Sequence, residues 1–362
     1  MPWQGRAIDA SATTCYPRAV RVCVLGSGSK GNCLVVDGGG VVIMIDTGFS
    51  PRETRARLRH LDLDLTDLDA ILITHAHGDH VKSVKQLAAS LGIPTWATWA
   101  TRRFASTFTS FANHAVVEPG VRFAVGGLSI LPVKTCHDEP GSVAYNITDG
   151  DEAFAICTDL GDPNESVGAG LRDVDTLMLE FNHDAQMLKN GPYHARLKRR
   201  VASKYGHLNN DAAAILLGRA VTSNLTRLLC AHLSEVNNTN AKAIAAARTI
   251  VDGMDIDVAI APQHAPTQWL RVRRRPTIAG EVIVTQPSKQ RPSATLLAPS
   301  APPYIAQPTP STAVSAPTTT PAIIALREAV TKRQLALFAG PPLSPTPSVA
   351  TLVSHSLTRE RR

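Results

Sequence analysis

The sequence feature that most constrains the fold is a cluster of histidines directly after a short apolar segment. Residues 69–73 read DAILI, which is typical of a buried strand, and residues 74–80 read THAHGDH. A helix is expected from Val81 onward, so the cluster occupies a strand-to-helix turn. Three imidazoles and one carboxylate therefore lie at the kind of loop where mixed α/β proteins form their sites.

We predict that this turn binds metal ions. Gly78 allows alternate side chains of the turn to face opposite sides of one pocket. His75 and His77 are expected to bind one ion, and Asp79 and His80 a second. Neutral imidazole and carboxylate ligands suit Zn²⁺ or Mn²⁺, and the lack of a thiolate argues against a structural zinc site. The alternative is a polar turn that happens to be rich in histidine.

Three further polar residues each follow an apolar segment later in the chain. His137 follows LPVKTC, Asp159 follows AFAICT and His232 follows RLLCA. Taken singly, each is better explained as a satisfied core or loop residue. In this order they complete two ligand sets, one of His75, His77 and His137, the other of Asp79, His80 and His232, with Asp159 able to bridge both.

Aliphatic and β-branched segments alternate with amphipathic segments over the first 270 residues. Strands are predicted at 20–26, 40–46 and 153–158, and helices at 81–91 and 194–204, among others. Pairs of strands dominate early, and strands alternating with helices follow. This order predicts an α/β fold in which two mixed β-sheets pack together with helices outside.

Charge and proline are unevenly distributed, which predicts a domain boundary near residue 272. The residues from Arg271 onward hold twelve Lys and Arg against three Asp and Glu, and fourteen of the 25 prolines. The first 270 residues hold 25 basic and 27 acidic residues. We expect an N-terminal extension at 1–19, a folded domain at 20–272 and a disordered, basic Pro/Ser/Thr-rich tail at 273–362.

Cysteine usage and hydropathy indicate the compartment. The six cysteines are scattered without a CxxC pair, and most lie in apolar segments. No run of eighteen apolar residues occurs, and the N-terminal residues do not resemble a secretory signal. We therefore expect a cytoplasmic protein with reduced cysteines and no membrane contact.

The order of the polar residues resembles the ligand motif of the metallo-β-lactamase superfamily, which is HxHxDH followed by a histidine, an aspartate and a final histidine. The resemblance covers roughly residues 20–270. It implies an αββα sandwich with a di-metal site at one edge, holding two divalent ions, of which Zn²⁺ fits best and Mn²⁺ next. All seven ligand positions match: His75, His77, Asp79, His80, His137, Asp159 and His232.

Five further segments resemble the YycJ/WalJ-like branch of this superfamily, which is associated with DNA exonuclease activity in bacteria. They are LGSGSKGNC at 25–33, LEFNHD at 179–184, KNGPY at 189–193, GHLNN at 206–210 and HLSEVNN at 232–238. The branch usually has GHLS where this chain has GHLN, so a hydroxyl is missing at Asn209. No insertion of the β-CASP type is evident.

The resemblance implies a di-metal-dependent phosphodiesterase, and we expect a DNA exonuclease of repair or replication. Two ions about 3.5–4 Å apart lower the pKa of a bridging water, and the resulting hydroxide attacks phosphorus in line. Asp79 is expected to guide the proton of that water. The alternative is a hydrolase of a small thioester, lactone or β-lactam, and a third interpretation is a binding protein with a vestigial site.

Residues near the predicted site are candidates for substrate contacts. His207 is expected to contact the scissile phosphate or to protonate the leaving oxygen, unless it caps a helix or orients a ligand. Ser29 and Lys30 lie in a Gly/Ser-rich segment that either accepts a phosphate oxygen or forms a tight hairpin turn. Asn182 and His183 are expected to touch the substrate or to brace a loop.

Two further observations bear on these expectations. Asp46 follows the apolar segment VVIMI and is expected to orient a ligand histidine rather than to bind metal. The slightly acidic balance of the folded part argues against a DNA groove, unless basic stretches such as 196–204 share a face with the site.

The tail contains one apolar segment with a recognisable motif. Residues 334–338 read QLALF, which resembles the QLxLF pentapeptide by which bacterial replication and repair proteins dock on the sliding clamp. Leu335, Leu337 and Phe338 are expected to fill apolar pockets, and Gln334 to form hydrogen bonds. The alternative is a short amphipathic helix that folds back on the domain.

Overall fold

The structure, a computed structural model, describes residues 19–104, 113–138 and 140–274. The predicted N-terminal extension and C-terminal tail lie outside these residues, apart from their innermost positions, and so does the QLALF motif. No helix in the described part is both long enough and apolar enough to cross a membrane.

In the part of the chain that the structure describes, two seven-stranded sheets form the centre of the fold. In the first sheet the strand order is β14-β1-β2-β3-β4-β5-β6. These strands are β1 (Arg21–Gly26), β2 (Cys33–Gly38), β3 (Val41–Ile45), β4 (Ala70–Leu72), β5 (Thr95–Thr98), β6 (His114–Val117) and β14 (Leu270–Arg271). Strands β14, β1, β2 and β3 pair antiparallel, whereas β3, β4, β5 and β6 pair parallel.

The second sheet has the same division into an antiparallel and a parallel half, in the order β13-β12-β11-β10-β9-β8-β7. Strands β7 to β10 pair antiparallel, and β10 to β13 pair parallel. The strands are β7 (Phe123–Val125), β8 (Leu128–Lys134), β9 (Val143–Thr148), β10 (Ala153–Cys157), β11 (Thr176–Glu180), β12 (Arg227–Ala231) and β13 (Asp257–Ile260).

Strands that are buried on both faces explain the continuous apolar segments of the sequence. Val22 and Val24 pack between the two sheets, while Cys23 and Leu25 of the same strand pack in the cluster beneath the helices of the first sheet. This alternation follows from the two-residue period of a strand. The helices are α1 (Pro51–Leu58), α2 (Gly78–Val81), α3 (Val84–Leu91), α4 (Trp99–Phe104), α5 (Glu165–Gly170), α6 (Ala185–Asn190), α7 (Ala195–Val201), α8 (Asn210–Ala220) and α9 (Asn240–Val251).

The predicted fold class, two mixed sheets between helices, is confirmed. The helix predicted at 81–91 is divided into α2 and α3, because the Ser83 N–H donates to Thr47 O, 3.1 Å away, instead of continuing the helical ladder. The helices α5 and α6 and the strands β6 and β14 were not predicted. They are two to six residues long, which is too short for a periodic hydrophobic pattern to be detected.

A glycine after β3 permits a close approach that the fold requires. A Cβ atom at Gly48 would overlap the carbonyl oxygen of Asp79 and the backbone nitrogen of Asn32. Gly48 N–H donates to Asn32 O at 3.0 Å, and Asn32 N–H donates to Asp79 O at 2.8 Å. The loop after β3 is therefore held against the polar turn that follows β4.

We expect Gly48→Ala to lower the free energy of unfolding by about 1–3 kcal/mol, because the added methyl group pushes these backbone segments apart. Urea titration of the chelator-treated protein measures this change. The control is Gly218→Ala in α8, where the nearest atoms to the new Cβ lie 3.8 and 3.9 Å away. That variant should be unchanged or more stable by about 0.5–1 kcal/mol. Equal stability of the two variants contradicts the prediction.

Candidate metal centre

The polar residues of the predicted site meet because the strands that carry them run parallel. The carboxyl ends of neighbouring parallel strands lie at one edge of a sheet, and the two sheets place these edges side by side. The residues that follow these strand ends are Asp46 after β3, Thr74 to His80 after β4, Asp159 after β10 and His232 after β12; Glu180 is the last residue of β11.

Three of these residues have a left-handed backbone conformation that non-glycine residues rarely adopt. The φ angles are 61° at Asp46, 60° at Asp159 and 53° at His232. Such a conformation costs about 1–3 kcal/mol per residue and persists only where the surroundings enforce it. At each of these residues the backbone turns sharply at the end of a strand. The turn directs the side chain into the polar cluster.

The first ligand group brings three imidazole nitrogens together. His77 Nδ1 lies 3.1 Å from His75 Nε2 and 3.2 Å from His137 Nε2. Nitrogens bound at about 2.0–2.1 Å to a tetrahedral zinc ion are about 3.3 Å apart, so the spacing fits one ion. His137 Nδ1–H donates to Gly206 O at 2.9 Å, which leaves Nε2 as the free acceptor.

Burial keeps these three imidazoles neutral. It lowers the pKa of His75 well below the usual range, lowers that of His77 to about 4, and lowers that of His137. A neutral imidazole offers the lone pair that a metal ion needs. The group is therefore ready to bind a cation at neutral pH without first losing protons.

The second ligand group is centred on His80, which is fully buried. Its Nδ1–H donates to Asp46 Oδ2 at 2.8 Å, so its Nε2 faces the site. There Nε2 lies 3.2 Å from Asp159 Oδ2 and 3.6 Å from Asp79 Oδ2. Asn32 Nδ2 lies 2.9 Å from the same nitrogen, a contact that the sequence did not indicate.

His232 joins the site from the opposite side, next to a carboxylate that sequence reasoning missed. His232 Nδ1 lies 3.2 Å from Asp159 Oδ1 and 3.3 Å from Glu180 Oε1. Glu180 is fully buried and accepts hydrogen bonds from His207 Nδ1 at 2.7 Å and from Leu160 N–H at 3.0 Å. Its position at the end of the strand TLMLE was the only sequence signal, and that signal is weak because a glutamate at a strand end is more often solvated.

Charge compensation shifts the pKa values of this second half of the site. Burial lowers the pKa of His207, but the charge of Glu180 and the hydrogen bond to it outweigh burial and raise the pKa to about 9. Burial is likewise outweighed by Asp159 at His232 and at His80, whose pKa values are raised. The two buried carboxylates thus favour positive charge in their surroundings, and they raise the pKa values of the histidines beside them.

The donors fit divalent metal ions. Asp159 Oδ2 and both ring nitrogens of His232 are buried, and among the described residues none of them makes a hydrogen bond of good geometry, although His80 Nε2 lies 3.2 Å from Asp159 Oδ2 and carboxylate oxygens lie 3.2 and 3.3 Å from His232 Nδ1. A buried polar atom without a partner costs about 1–3 kcal/mol, and a coordinated cation would remove that cost. The donor set of imidazoles and carboxylates without thiolate suits Zn²⁺ or Mn²⁺. The described residues contain four overlapping groups of three potential ligands: His75, His77 and His137; His75, His80 and Asp159; His137, Asp159 and His207; and Glu180, His207 and His232.

These side chains open into a cleft of about 150 Å³. Two of the predicted substrate contacts, Ser29 and His207, line it, and so does Asp79, the predicted proton guide. The remaining wall residues are His77, Asp138, Asp159, Leu197, Arg200, Val201, Gly206 and His232. The cleft therefore joins both ligand groups to the surface of helix α7.

The other predicted substrate contacts lie outside the cleft wall. Lys30 Nζ pairs with Glu235 Oε2 at 2.7 Å. Asn182 Nδ2 donates to His232 O at 2.9 Å and so braces the backbone of a ligand residue. His183 is buried, and its Nδ1 lies 3.3 Å from Asn182 Oδ1. The structure thus places these three residues around the site rather than at its opening.

Comparison with known proteins agrees with this geometry. The family profile of the metallo-beta-lactamase superfamily matches residues 26–203. Exodeoxyribonuclease WalJ of Streptococcus pneumoniae serotype 2 (strain D39) is 30% identical over 221 residues, which are 59% of this chain and 82% of that protein. Exodeoxyribonuclease YycJ of Bacillus anthracis is 29% identical over 218 residues, which are 59% of this chain and 83% of that protein.

The chain belongs to the metallo-beta-lactamase superfamily, in its WalJ/YycJ-like branch.

A solved structure supports the fold assignment. The metallo-beta-lactamase fold protein YhfI from Bacillus subtilis superposes with a TM-score of 0.54 at 19% identity, covering 69% of this chain and 99% of that one. At this identity the likeness concerns the fold alone.

Asn209, in the GHLN segment, has a local structural role. Its side chain caps α8 by accepting from Ala212 N–H at 2.8 Å. Asparagine and serine are both favoured N-cap residues. A serine at this position, as the resemblance implies for the branch, would therefore be compatible with the same start of α8.

We expect Glu180→Gln to weaken metal binding about 10–100-fold, because it removes a buried negative charge beside His232 and His207. Competition with a chromogenic chelator measures the affinity, and circular dichroism checks that the variant is folded. Glu165→Gln, which changes an exposed carboxylate on α5, is the matched control and should bind metal as the wild type does. Unchanged affinity in Glu180→Gln would show that this carboxylate has no part in the site.

Proposed function

We propose that the protein is a di-metal-dependent phosphodiesterase that acts on DNA as an exonuclease in repair or replication. One observation carries the proposal. The clustered histidines and aspartates open into a cleft in a chain that covers 82% and 83% of two relatives named exodeoxyribonucleases. The fold alone would leave the substrate open, since unrelated activities share it.

The residues that would hold two divalent ions are those of the two ligand groups. Zn²⁺ matches the imidazole-rich set best, and Mn²⁺ is the second choice. Ions bound there would lower the pKa of a coordinated water and would stabilise negative charge on phosphoryl oxygens. The proposed ligands are His75, His77 and His137 for one ion, and Asp79, His80 and His232 for the other, with Asp159 between them.

The protein's own side chains would orient the reaction. Asp46 fixes the ring of His80 through its hydrogen bond to Nδ1. Asp79 is partly exposed in the cleft, 28% of its side chain, so its carboxylate can accept the proton of an attacking water. Glu180 holds His207 at the cleft wall, where a protonated imidazole can contact the phosphate or donate a proton to the leaving oxygen.

The decisive experiment incubates the metal-loaded protein with end-labelled DNA and RNA, each single- and double-stranded. We expect stepwise shortening of DNA that chelation abolishes and added Zn²⁺ or Mn²⁺ restores. Asp79→Ala and His80→Ala should lower the rate at least about 100-fold, because each removes a proposed ligand. Elemental analysis should find close to two metal ions per wild-type chain.

The controls separate this proposal from its alternative. His60→Ala changes an exposed histidine outside the site and should cleave DNA as the wild type does. Circular dichroism should show that the Asp79 and His80 variants remain folded. Wild-type turnover in either variant refutes the mechanism. Hydrolysis of nitrocefin or S-lactoylglutathione without cleavage of DNA would instead favour a hydrolase of small esters and amides.

We also propose domain boundaries for the chain, with an extension at 1–19, the hydrolase domain at 20–272 and a tail at 273–362. Val272 N–H donates to Val20 O at 2.8 Å, which supports the proposed limits of the domain. A cytoplasmic location stays a prediction; five of the six cysteines lie in the described part and are unpaired there.

A second proposed partner is the bacterial sliding clamp, bound through the motif at 334–338. Its support is the motif itself, since these residues lie outside the described part. A tethered apolar pentapeptide would hold the enzyme near replicating DNA and raise its local concentration there.

We expect purified clamp to retain the full-length protein and to lose it when Leu337 and Phe338 are both changed to alanine, because these side chains would fill the apolar pockets of the clamp. Leu296→Ala/Leu297→Ala removes two apolar residues elsewhere in the tail and is the control. Equal recovery of all three proteins would refute the proposed binding to the clamp through this motif.

A further inference from the structure

Helix α7 forms part of the cleft wall although it is poorly buried itself. None of its seven residues is fully buried. Surface helices normally bury an apolar stripe against the core, and this helix has only the half-buried pair of Leu197 and Val201. Leu197, Arg200 and Val201 nevertheless line the cleft beside Asp159 and His232. Arg200 is exposed and also lines the cleft, so it links the outer surface of α7 to the opening of the metal site.

The charge of this segment is strongly positive. Five of the nine residues from 196 to 204 are Lys or Arg and none is acidic, whereas the first 270 residues as a whole hold 25 basic and 27 acidic residues. In the described part of the chain, only one of the five cations pairs with a carboxylate, namely Arg200 with Asp138. The basic residues are Arg196, Lys198, Arg199, Arg200 and Lys204.

Arg200 connects this positive surface to the metal ligands. Its Nε donates to Asp138 Oδ2 at 3.0 Å, and the same oxygen lies 3.9 Å from His77 Nε2. About half of the Arg200 side chain is exposed, so guanidinium donors remain free for a further acceptor. A phosphate bound by Arg200 would therefore lie next to the ligand group of His75, His77 and His137.

We infer that these five basic residues, which we call the α7 surface, hold the sugar–phosphate backbone of the DNA strand whose end enters the cleft. The inference rests on the proposed nuclease function and deepens it, because it names the surface that binds the polymer. A seven-residue helix is about 10 Å long, which corresponds to about three phosphates along one strand. Contacts to phosphate alone carry no sequence information, so cleavage should be independent of sequence.

The test uses the full-length, metal-loaded protein and the variant Arg196→Ala/Arg199→Ala/Lys204→Ala, which removes three exposed cations from the α7 surface. Anisotropy of a labelled phosphorothioate oligonucleotide reports binding without rapid cleavage. We expect affinity to fall at least 10-fold and the slope of log K against log salt to decrease by about 2, as three lost contacts to single-stranded DNA predict. On ordinary DNA the KM should rise while kcat is retained.

Two controls make the result specific. Arg52→Ala/Arg55→Ala/Arg59→Ala removes three exposed cations from the region of α1, outside the cleft, and should leave binding and salt dependence unchanged. Hydrolysis of bis(p-nitrophenyl) phosphate, which is too small to reach along α7, should be equal in the wild type and both variants.

Several results would overturn the inference. Unchanged DNA affinity in the α7 variant would do so. An equal loss of affinity in the α1 variant would also do so, because it would show that binding depends only on the net charge of the protein. A change of oligomeric state in the α7 variant without loss of DNA binding would assign the surface to a second copy of the chain. A failure of the proposed nuclease function would give a different result. In that case even the wild type would not shorten DNA, while its binding to the phosphorothioate strand could still be measured.

Discussion

The buried carboxylate of Asp159 is the constraint on which the site depends. It lies between the two ligand groups, 3.2 Å from His80 Nε2 and 3.2 Å from His232 Nδ1. Burying a carboxylate is costly unless positive charge and hydrogen bonds compensate it. Only a fold that brings several strand ends to one place can supply that compensation. The left-handed backbone at Asp159 is the local cost of this arrangement.

Much of the fold could be predicted from sequence, because strands buried on both faces leave long apolar segments and most helices carry an amphipathic pattern. The prediction failed where elements are short or where a contact with a residue distant in sequence determines where an element ends. The break in the helix at Ser83 arises from a hydrogen bond to Thr47, and no local sequence pattern predicts that bond. Strand β14 consists of only Leu270 and Arg271 and exists because β1 offers a free edge.

The candidate site was predictable to a similar extent. Polar residues directly after apolar segments, such as His137 and Asp159, could be predicted as ligands only together with the histidine cluster at 74–80, because their order completes two ligand sets. Glu180 was missed because a glutamate that ends a strand is more often solvated, and only the tertiary structure shows it buried against His207. The basic stretch at 196–204 was visible, but its position beside the cleft depends on how α7 packs, which the sequence does not specify.

The hydrogen bond between Val272 and Val20 has a consequence for the connectivity of the fold. It places the first and last strands of the domain side by side in one sheet, so the chain enters and leaves the sandwich at the same place. A fold whose ends adjoin can be cut elsewhere and rejoined there with the same neighbours, as circular permutation does. The arrangement of the strands, rather than their order along the chain, therefore defines this domain.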